Sequence, residues 1–500
     1  MNLPLVFRTV RYVTPVQIWY QLWYKAHKAK YKPLQAPNHI IPNLPAEPIA
    51  KTKSVEGDVF TFLNVEQTFN GWNSTKHGNL WAYNQNYFDW LGQEGMTVTD
   101  GCSWIDKFIA AIEQKEIVKG LHPYPIALRS INWIKFFCSH PDCATKIRLD
   151  SLYSQIRVLE QKLEFQLLGN HLLEDAFALY IGTVFFNDES LANKAKTLMK
   201  RQLKEQILPD GEHFEQSPMY QCVLLDRLLD CYNFSLTTKD DDIQACLKMY
   251  ANKMLGNLES LVWADGSIPL FNDSANGIAP SPEQLFDYAK RLGLAWVAIP
   301  MKECGYRKMS NNTMEAIVDV GNITASYQPG HSHADTFNYE LRIEGKPYVV
   351  DTGVSTYNNS SRRHYERSTP AHNTVSVNVK DSSEVWGGFR VGRRATISDV
   401  RCQMEEGRGF VEASHDGFGK ECRRRFEMKD DSFIVEDWFD GNAVSYIHLA
   451  KDADINRIKV EGALNIETED GLYSTEYNRF TECKVMKIHF MNHLKYKILQ

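Results

Sequence analysis

Residues 305–327, GYRKMSNNTMEAIVDVGNITASY, mark the point where the hydrophobic period of this chain changes. Upstream, apolar residues recur at three- and four-residue spacing, as one face of a helix requires; downstream they alternate, as a half-buried strand requires. Helical spacing covers 104–118, 126–137, 152–168, 172–186, 191–207, 220–232 and 243–262. Breakers separate these runs at His122-Pro123-Tyr124-Pro125, Gly169-Asn170, Pro209-Asp210-Gly211 and Asp265-Gly266. Helices of this length with short joints pair as antiparallel hairpins, arranged in a bundle or a ring. Alternation predicts strands at 315–320, 324–327, 339–343, 348–351, 374–379, 395–400, 409–414, 424–428 and 433–439. Many short strands in series predict an antiparallel β-sandwich. Helices first and strands second make an α+β multidomain chain, with its boundary at 304/305.

Ahead of the helices, residues 1–50 read as an amphipathic helix followed by a proline-rich extended connection. Residues 51–304 then form the helical domain, its first fifty residues holding short aromatic-rich strands and turns, and residues 305–500 form the sandwich. The net charge of −6 argues against a broad nucleic-acid footprint. Basic clusters at Arg362-Arg363-His364, Arg390, Arg393-Arg394 and Arg423-Arg424-Arg425 still allow a local anionic ligand. Aromatic content of 12% suits either a cleft that stacks sugar rings or a large core. The ten cysteines follow no disulfide framework and read as reduced thiols. Cys138, His140 and Cys143 are the one local Cys/His cluster, with no second pair nearby. No run reaches the length of a membrane span, and the N-terminus lacks the features of a signal peptide. The expected location is therefore cytoplasmic, with periplasmic the alternative.

Two groups of residues can carry chemistry. His331 and His333 are two apart, which on a strand turns both rings to one face. Asp351 ends the run Val349-Val350-Asp351, and His372 precedes Asn373-Thr374-Val375. Two imidazoles and a carboxylate suit Zn²⁺; polar residues at strand ends would look the same. In the helical half, Asn170 reads as a helix cap or as a cleft donor beside His171, with Glu174 one turn on. Tyr220, after the polar loop 210–217, reads as a core residue or as a second cleft residue.

Taken in order, several motifs resemble the heparinase II/III-type polysaccharide lyases, which are related in fold to alginate lyases. They are Leu80-Trp81-Ala82-Tyr83-Asn84, Tyr87-Phe88-Asp89-Trp90-Leu91, Gly169-Asn170-His171, Glu215-Gln216-Ser217-Pro218-Met219-Tyr220, His331-Ser332-His333-Ala334-Asp335, Tyr348-Val349-Val350-Asp351-Thr352-Gly353 and Arg367-Ser368-Thr369-Pro370-Ala371-His372-Asn373-Thr374. The resemblance implies an incomplete (α/α) toroid followed by the sandwich. It implies one structural zinc held by His333, Asp351 and His372. It implies that Asn170 and His171 contact a uronate carboxylate, that Tyr220 is the catalytic tyrosine, and that the sandwich contributes His331. Glu174 matches an acidic residue of some members, and Tyr357 a second tyrosine of alginate-type members. Gln221 and Asn86 depart from the pattern, which has histidine at both places, and are expected to alter subsite preference.

The activity so implied is β-elimination on an acidic, uronate-containing polysaccharide, leaving a 4,5-unsaturated end. Tyr220 would be the acid, or acid and base together, with His331 the base when the two groups lie on opposite faces. A basic Tyr220 requires its phenol to be lowered by positive charge from His171, His331 and Arg367. Two other readings predict differently. A hydrolase on this scaffold needs two carboxylates, for which Asp210, Glu212 and Glu215 are candidates. A non-catalytic glycan-binding or assembly factor needs none of these groups to react.

Overall fold

The structure, a computed structural model, describes residues 3–500. Two helices open the chain, α1 (Leu3–Val10) and α2 (Pro15–Ala26), where a single helix was expected. Thr14 divides them. Its hydroxyl accepts from Gln17 N, Gln17 Oε1 accepts from Thr14 N, and Pro15 takes the first helical position. This reciprocal cap starts a new helix and ends the old one.

The proline-rich connection leads to a three-stranded sheet of Val55–Glu56, Val59–Phe62 and Val65–Thr68. All seven helices read from the sequence are present: Val98–Glu113, Pro123–Ser139, Lys146–Gln161, Gly169–Phe186, Glu189–Gln206, Pro218–Ser235 and Asp241–Leu261. Asn79–Tyr87 precedes them and Pro282–Arg291 follows. Consecutive helices pack as hairpins to form the incomplete toroid. Its core holds the fully buried Trp81, Trp90 and Trp133, which accounts for much of the aromatic content.

The second half is an eleven-stranded antiparallel sheet. Its main path runs Ile397–Glu405, Arg408–His415, Cys422–Lys429, Ser432–Ala450, Lys346–Val349, Tyr339–Ile343, Met314–Asp319, Tyr306–Ser310. Ser432–Ala450 also pairs with Arg479–Leu499, which in turn pairs with Ile458–Glu476. The register of the long strand shifts between Phe439 and Asn442, at Gly441 with φ 131°, so one strand bends to serve both parts of the sheet. Residues 324–327, expected as a strand, form an irregular segment, and 374–379 shortens to Val375–Ser376.

An apolar seam joins the halves. Trp263 and Phe271 from the helical side pack with Met301, Tyr306 and Ile317. The chain from Asn272 to Ser274 leaves this seam pointing polar side chains at both halves, and the candidate site is built around it.

Candidate active site

Leu168 and Gly169 both take positive φ, 62° and 59°, so the backbone turns sharply into the helix Gly169–Phe186. Asn170 is therefore inside the helix rather than its cap. Its backbone N–H donates to Glu215 Oε1 at 3.0 Å and its side-chain amide to Glu215 Oε2 at 2.7 Å. A carboxylate at the positive end of a helix is favoured, and here it also fixes the Asn170 amide. The second amide hydrogen of Asn170 has no acceptor among the described residues. His171 is half-buried, its Nδ1 3.0 Å from Glu164 Oε2 and its ring 4.6 Å from that of Tyr124. Burial opposes a charged ring, but Glu164, with Glu215 and Glu174, outweighs it and raises His171 above its ordinary value.

Ser217 caps the helix Pro218–Ser235 by accepting from Tyr220 N, which places Tyr220 in its first turn. The Tyr220 ring lies 4.1 Å from the His331 ring, and its hydroxyl 3.4 Å from that of Tyr357. Tyr357 is in turn 3.4 Å from His331 Nδ1. Burial pushes the Tyr220 phenol above its ordinary value; the Tyr357 hydroxyl and Arg363 act against this, Asp273 and Glu215 with it. The lowering that a basic Tyr220 would require is thus not met. Arg367, one of its expected sources, donates instead to the Ser332 and Gly387 carbonyls. Tyr220 is held as a neutral phenol, a proton donor.

Asp273, which no sequence motif marked, organises the rest. It accepts from His331 Nδ1 at 2.8 Å and from His333 Nε2 at 2.8 Å, and both terminal nitrogens of Arg363 bond to it. Burial alone would raise its carboxyl, but Arg363 and the two imidazoles hold it well below the ordinary range. With Nδ1–H donated to Asp273, His331 presents the lone pair of Nε2, 3.6 Å from Glu215. Asn272 and Ser274 complete the hinge: Asn272 Oδ1 accepts from His333 N, and Ser274 Oγ from Met219 N.

His333, Asp351 and His372 are all buried in one neighbourhood, the two rings 5.3 Å apart. His333 donates from Nε2, and burial holds the ring neutral, down to about 4 despite Asp273. His333 Nδ1 and His372 Nε2 are buried without a partner, as is Asp335 Oδ2. Asp351 Oδ2 bonds to His372 Nδ1 at 2.8 Å, and its Oδ1 accepts from Gly353 N. Among the described residues, no three His, Cys, Asp or Glu side chains converge at ligand distance. The Cys138, His140 and Cys143 group does not gather either; Cys143 lies against Cys102.

Several sequence candidates are placed elsewhere. Glu174 is fully buried near Arg227, and burial raises it to about 7; it does not face the cleft. Asn86 donates to the Trp72 and Ala82 carbonyls. Gln221 accepts from His213 N and donates to the Gly211 and Met254 carbonyls. Both departures from the motif thus hold backbone instead of lining a subsite. Asp210 accepts from Lys302 N and Cys304 N. Glu212 is buried with its carboxyl raised well above the ordinary range by burial and Asp210. With Glu215 clamping Asn170, no pair of these carboxylates is free to flank a glycosidic bond.

This architecture defines a helical toroid and antiparallel sheet sharing a His/Tyr/Asn site at their seam. The chain belongs to the heparinase II/III family: residues 141–290 match the model of the heparinase II/III N-terminus and residues 296–495 that of the heparinase II/III-like C-terminal domain. It is similar to the heparin-sulfate lyase of Pedobacter heparinus, 23% identical over 60% of this chain and 48% of that protein. The heparin-sulfate lyase of Bacteroides thetaiotaomicron is likewise 23% identical, over 56% of this chain and 46% of that protein. The chain thus matches about half the length of these relatives. Its fold matches a crystal structure of heparinase III with a TM-score of 0.66 at 14% identity, covering 99% of this chain and 93% of that one. A heparan sulfate lyase mutant from Pedobacter heparinus gives 0.57 at 14%, covering 97% and 87%.

Proposed function

We propose that this protein is a polysaccharide lyase acting by β-elimination on a uronate-bearing glycan of the glycosaminoglycan class. The observation that carries the reading is the neutral Tyr220 phenol, its ring 4.1 Å from that of His331, whose Nδ1 is fixed by Asp273. The reaction removes the proton on C5, beside the C6 carboxylate, and expels the glycosidic oxygen from C4. That proton is weakly acidic, so the developing enolate needs preorganised donors. The Asn170 amide, held by Glu215, and the His171 imidazole fill this role at the carboxylate. His331 Nε2 takes the C5 proton and Asp273 stabilises the imidazolium formed. Tyr220 gives its proton to the leaving oxygen. The name of the Pedobacter and Bacteroides relatives supports a sulfated uronate glycan as substrate. The test is incubation with heparan, chondroitin and alginate polymers while following ultraviolet absorbance of the C4–C5 double bond. Reducing ends released without that absorbance would instead mean hydrolysis.

A structural Zn²⁺ is part of the same proposal. The unpartnered Nδ1 of His333 and Nε2 of His372 fit an ion between them, and Asp351 is either the third ligand or the carboxylate that orients His372. Bound there, the metal would tie together the loops that carry His331 and Arg367 and take no part in proton transfer. Elemental analysis should return about one zinc per chain. Substituting His372→Ala should remove it and lower the melting midpoint.

A further inference from the structure

We propose that α1 and α2 form a lipid-facing surface that seats this protein on an anionic bilayer without crossing it. An ordinary surface helix buries apolar residues and shows polar ones. These two instead leave their largest apolar side chains exposed and are held to the body mainly by polar and tyrosine side chains. In α1, Arg8 is paired with Glu384 at 2.7 Å and Thr9 accepts from Trp386 Nε1 at 3.0 Å. In α2, the inward row is Gln17, Tyr20 and Tyr24. Gln17 donates to the Leu167 and Tyr327 carbonyls, Tyr20 stacks on Phe165 at 4.6 Å, and Tyr24 donates to the Leu163 carbonyl at 2.6 Å.

Polar anchoring leaves the large apolar side chains facing out. Leu3 and Phe7, one turn apart, are 73% and 74% exposed. On α2, Trp19 and Leu22 are each 60% exposed and Trp23 41%; these are the exposed tryptophans among the described residues. Along α2 the Trp19 and Trp23 rings lie 6.0 Å apart, and an exposed apolar display of this kind marks an interaction surface. Its charge selects the partner. Residues 1–46 contain six Lys or Arg and no Asp or Glu, whereas the whole chain carries −6, leaving −12 on the remainder (−6 less +6). Lys25, Lys28, Lys30 and Lys32 follow directly on the Trp19/Trp23 face and are exposed. Tryptophan at the edge of an apolar face, flanked by lysine, is the composition of a helix lying in the headgroup region of an anionic membrane. No helix among the described residues is long and apolar enough to cross a bilayer, so the surface lies on the membrane. The segment precedes both matched family domains, which begin at residue 141, and the inference does not depend on the lyase reading.

The test is co-sedimentation of the full chain with phosphatidylcholine vesicles, alone and mixed equally with phosphatidylglycerol, read alongside tryptophan fluorescence. Binding to the anionic vesicles with a blue-shifted emission, weakening as salt is raised, is expected. Each basic residue near such a surface contributes about fivefold in partitioning. Lys25→Glu with Lys28→Glu should therefore weaken binding at least tenfold, and Trp19→Ser with Trp23→Ser should abolish the blue shift. All four side chains point outward, so melting midpoints should be unchanged; if the tryptophan pair melts early, the lysine pair alone decides. Equal binding to both vesicle types, or lysine variants that bind as the parent does, would overturn the proposal. So would failure to pellet, with Trp19→Ser and Trp23→Ser dissociating a dimer in ultracentrifugation. That result would assign the face to a second copy.

Discussion

Tyr220 shows how little of the fold a proposed reacting group supports. Its hydroxyl has one hydrogen-bond partner among the described residues, the Tyr357 hydroxyl at 3.4 Å, at the long limit of a hydrogen bond. Tyr220→Phe keeps the ring against His331 and removes one long hydrogen bond, so it should cost at most about 0.5–1.5 kcal/mol of stability. Removing the proton donor should lower turnover by about 10²–10⁴-fold. Similar melting curves with near-absent lyase product would bear this out, and full activity in the variant would remove Tyr220 from the reaction. Residues of this kind were legible because each lies in a short local motif: Asn170 and His171 after Gly169, Tyr220 after Ser217-Pro218, His331 and His333 as a pair. Asp273 was not legible. Its partners His331 and Arg363 are 58 and 90 residues away along the chain, and its neighbours Asn272 and Ser274 read as an ordinary loop. Which of the two roles left open for Tyr220 its phenol suits was not legible for a related reason. Burial depends on what the fold packs around a ring, and no motif records it.

At the scale of elements, the start of the helix Gly169–Phe186 is a joint with little tolerance. Gly169 has φ of 59°, and a Cβ there would lie 2.5 Å from Glu215 Oε1. Gly169→Ala therefore strains the backbone and displaces the carboxylate that clamps Asn170. A loss of about 1–3 kcal/mol is expected, as for other strained backbone positions. Turnover should fall further than stability alone explains. Ala at a helix position outside the site, such as Gly182, provides the control. Helix positions in this half were read well because each helix has one buried face with a clear three- and four-residue period. The last two strands escaped notice for the opposite reason. Ile458–Glu476 is exposed along most of its length, so no alternation of apolar and polar residues marks it, and in its partner Arg479–Leu499 the alternation is broken by the exposed stretch Met491–His493.

For the molecule as a whole, the question is what locks toroid to sheet, and two buried carboxyls give opposite answers to pH. Glu340, on the strand Tyr339–Ile343, accepts from Leu270 N across the seam. Burial, with Asp351 adding, raises it to about 8. A raised folded value means its contribution is complete below the unfolded value, near 4.5, and is lost as pH rises through about 8. Glu340→Gln, always neutral, should gain on the parent by on the order of 1 kcal/mol per pH unit between those limits. The readout is the slope of the stability difference with pH, which removes any constant offset from the amide. A flat difference between pH 5 and 8 would show that Glu340 is ionised in the fold.

Asp273 works in the other sense. Its folded value is held well below the ordinary range, so its contribution is present above the unfolded carboxylate value and lost only as pH falls toward the folded one. It ties together His331 and His333 from the loop before the strand Tyr339–Ile343, Arg363 from the helix Ser361–Glu366, and the loop that follows the toroid. Asp273→Asn leaves the Arg363 guanidinium buried without a counter-charge, and breaking such a pair costs about 3–5 kcal/mol. It also leaves His331 without the acceptor that selects its Nδ1–H form. Two losses should then be separable. Lower thermal stability reports the broken seam. A fall in turnover at temperatures well below melting, with an altered pH–rate profile on its basic-group limb, reports the misoriented His331. Arg363→Met supplies the comparison, since it removes the charge opposite Asp273 but leaves the carboxylate bonded to both imidazoles. If Arg363→Met and Asp273→Asn were to share one pH–rate profile, the orienting role of Asp273 would fall and only its place in the seam would stand.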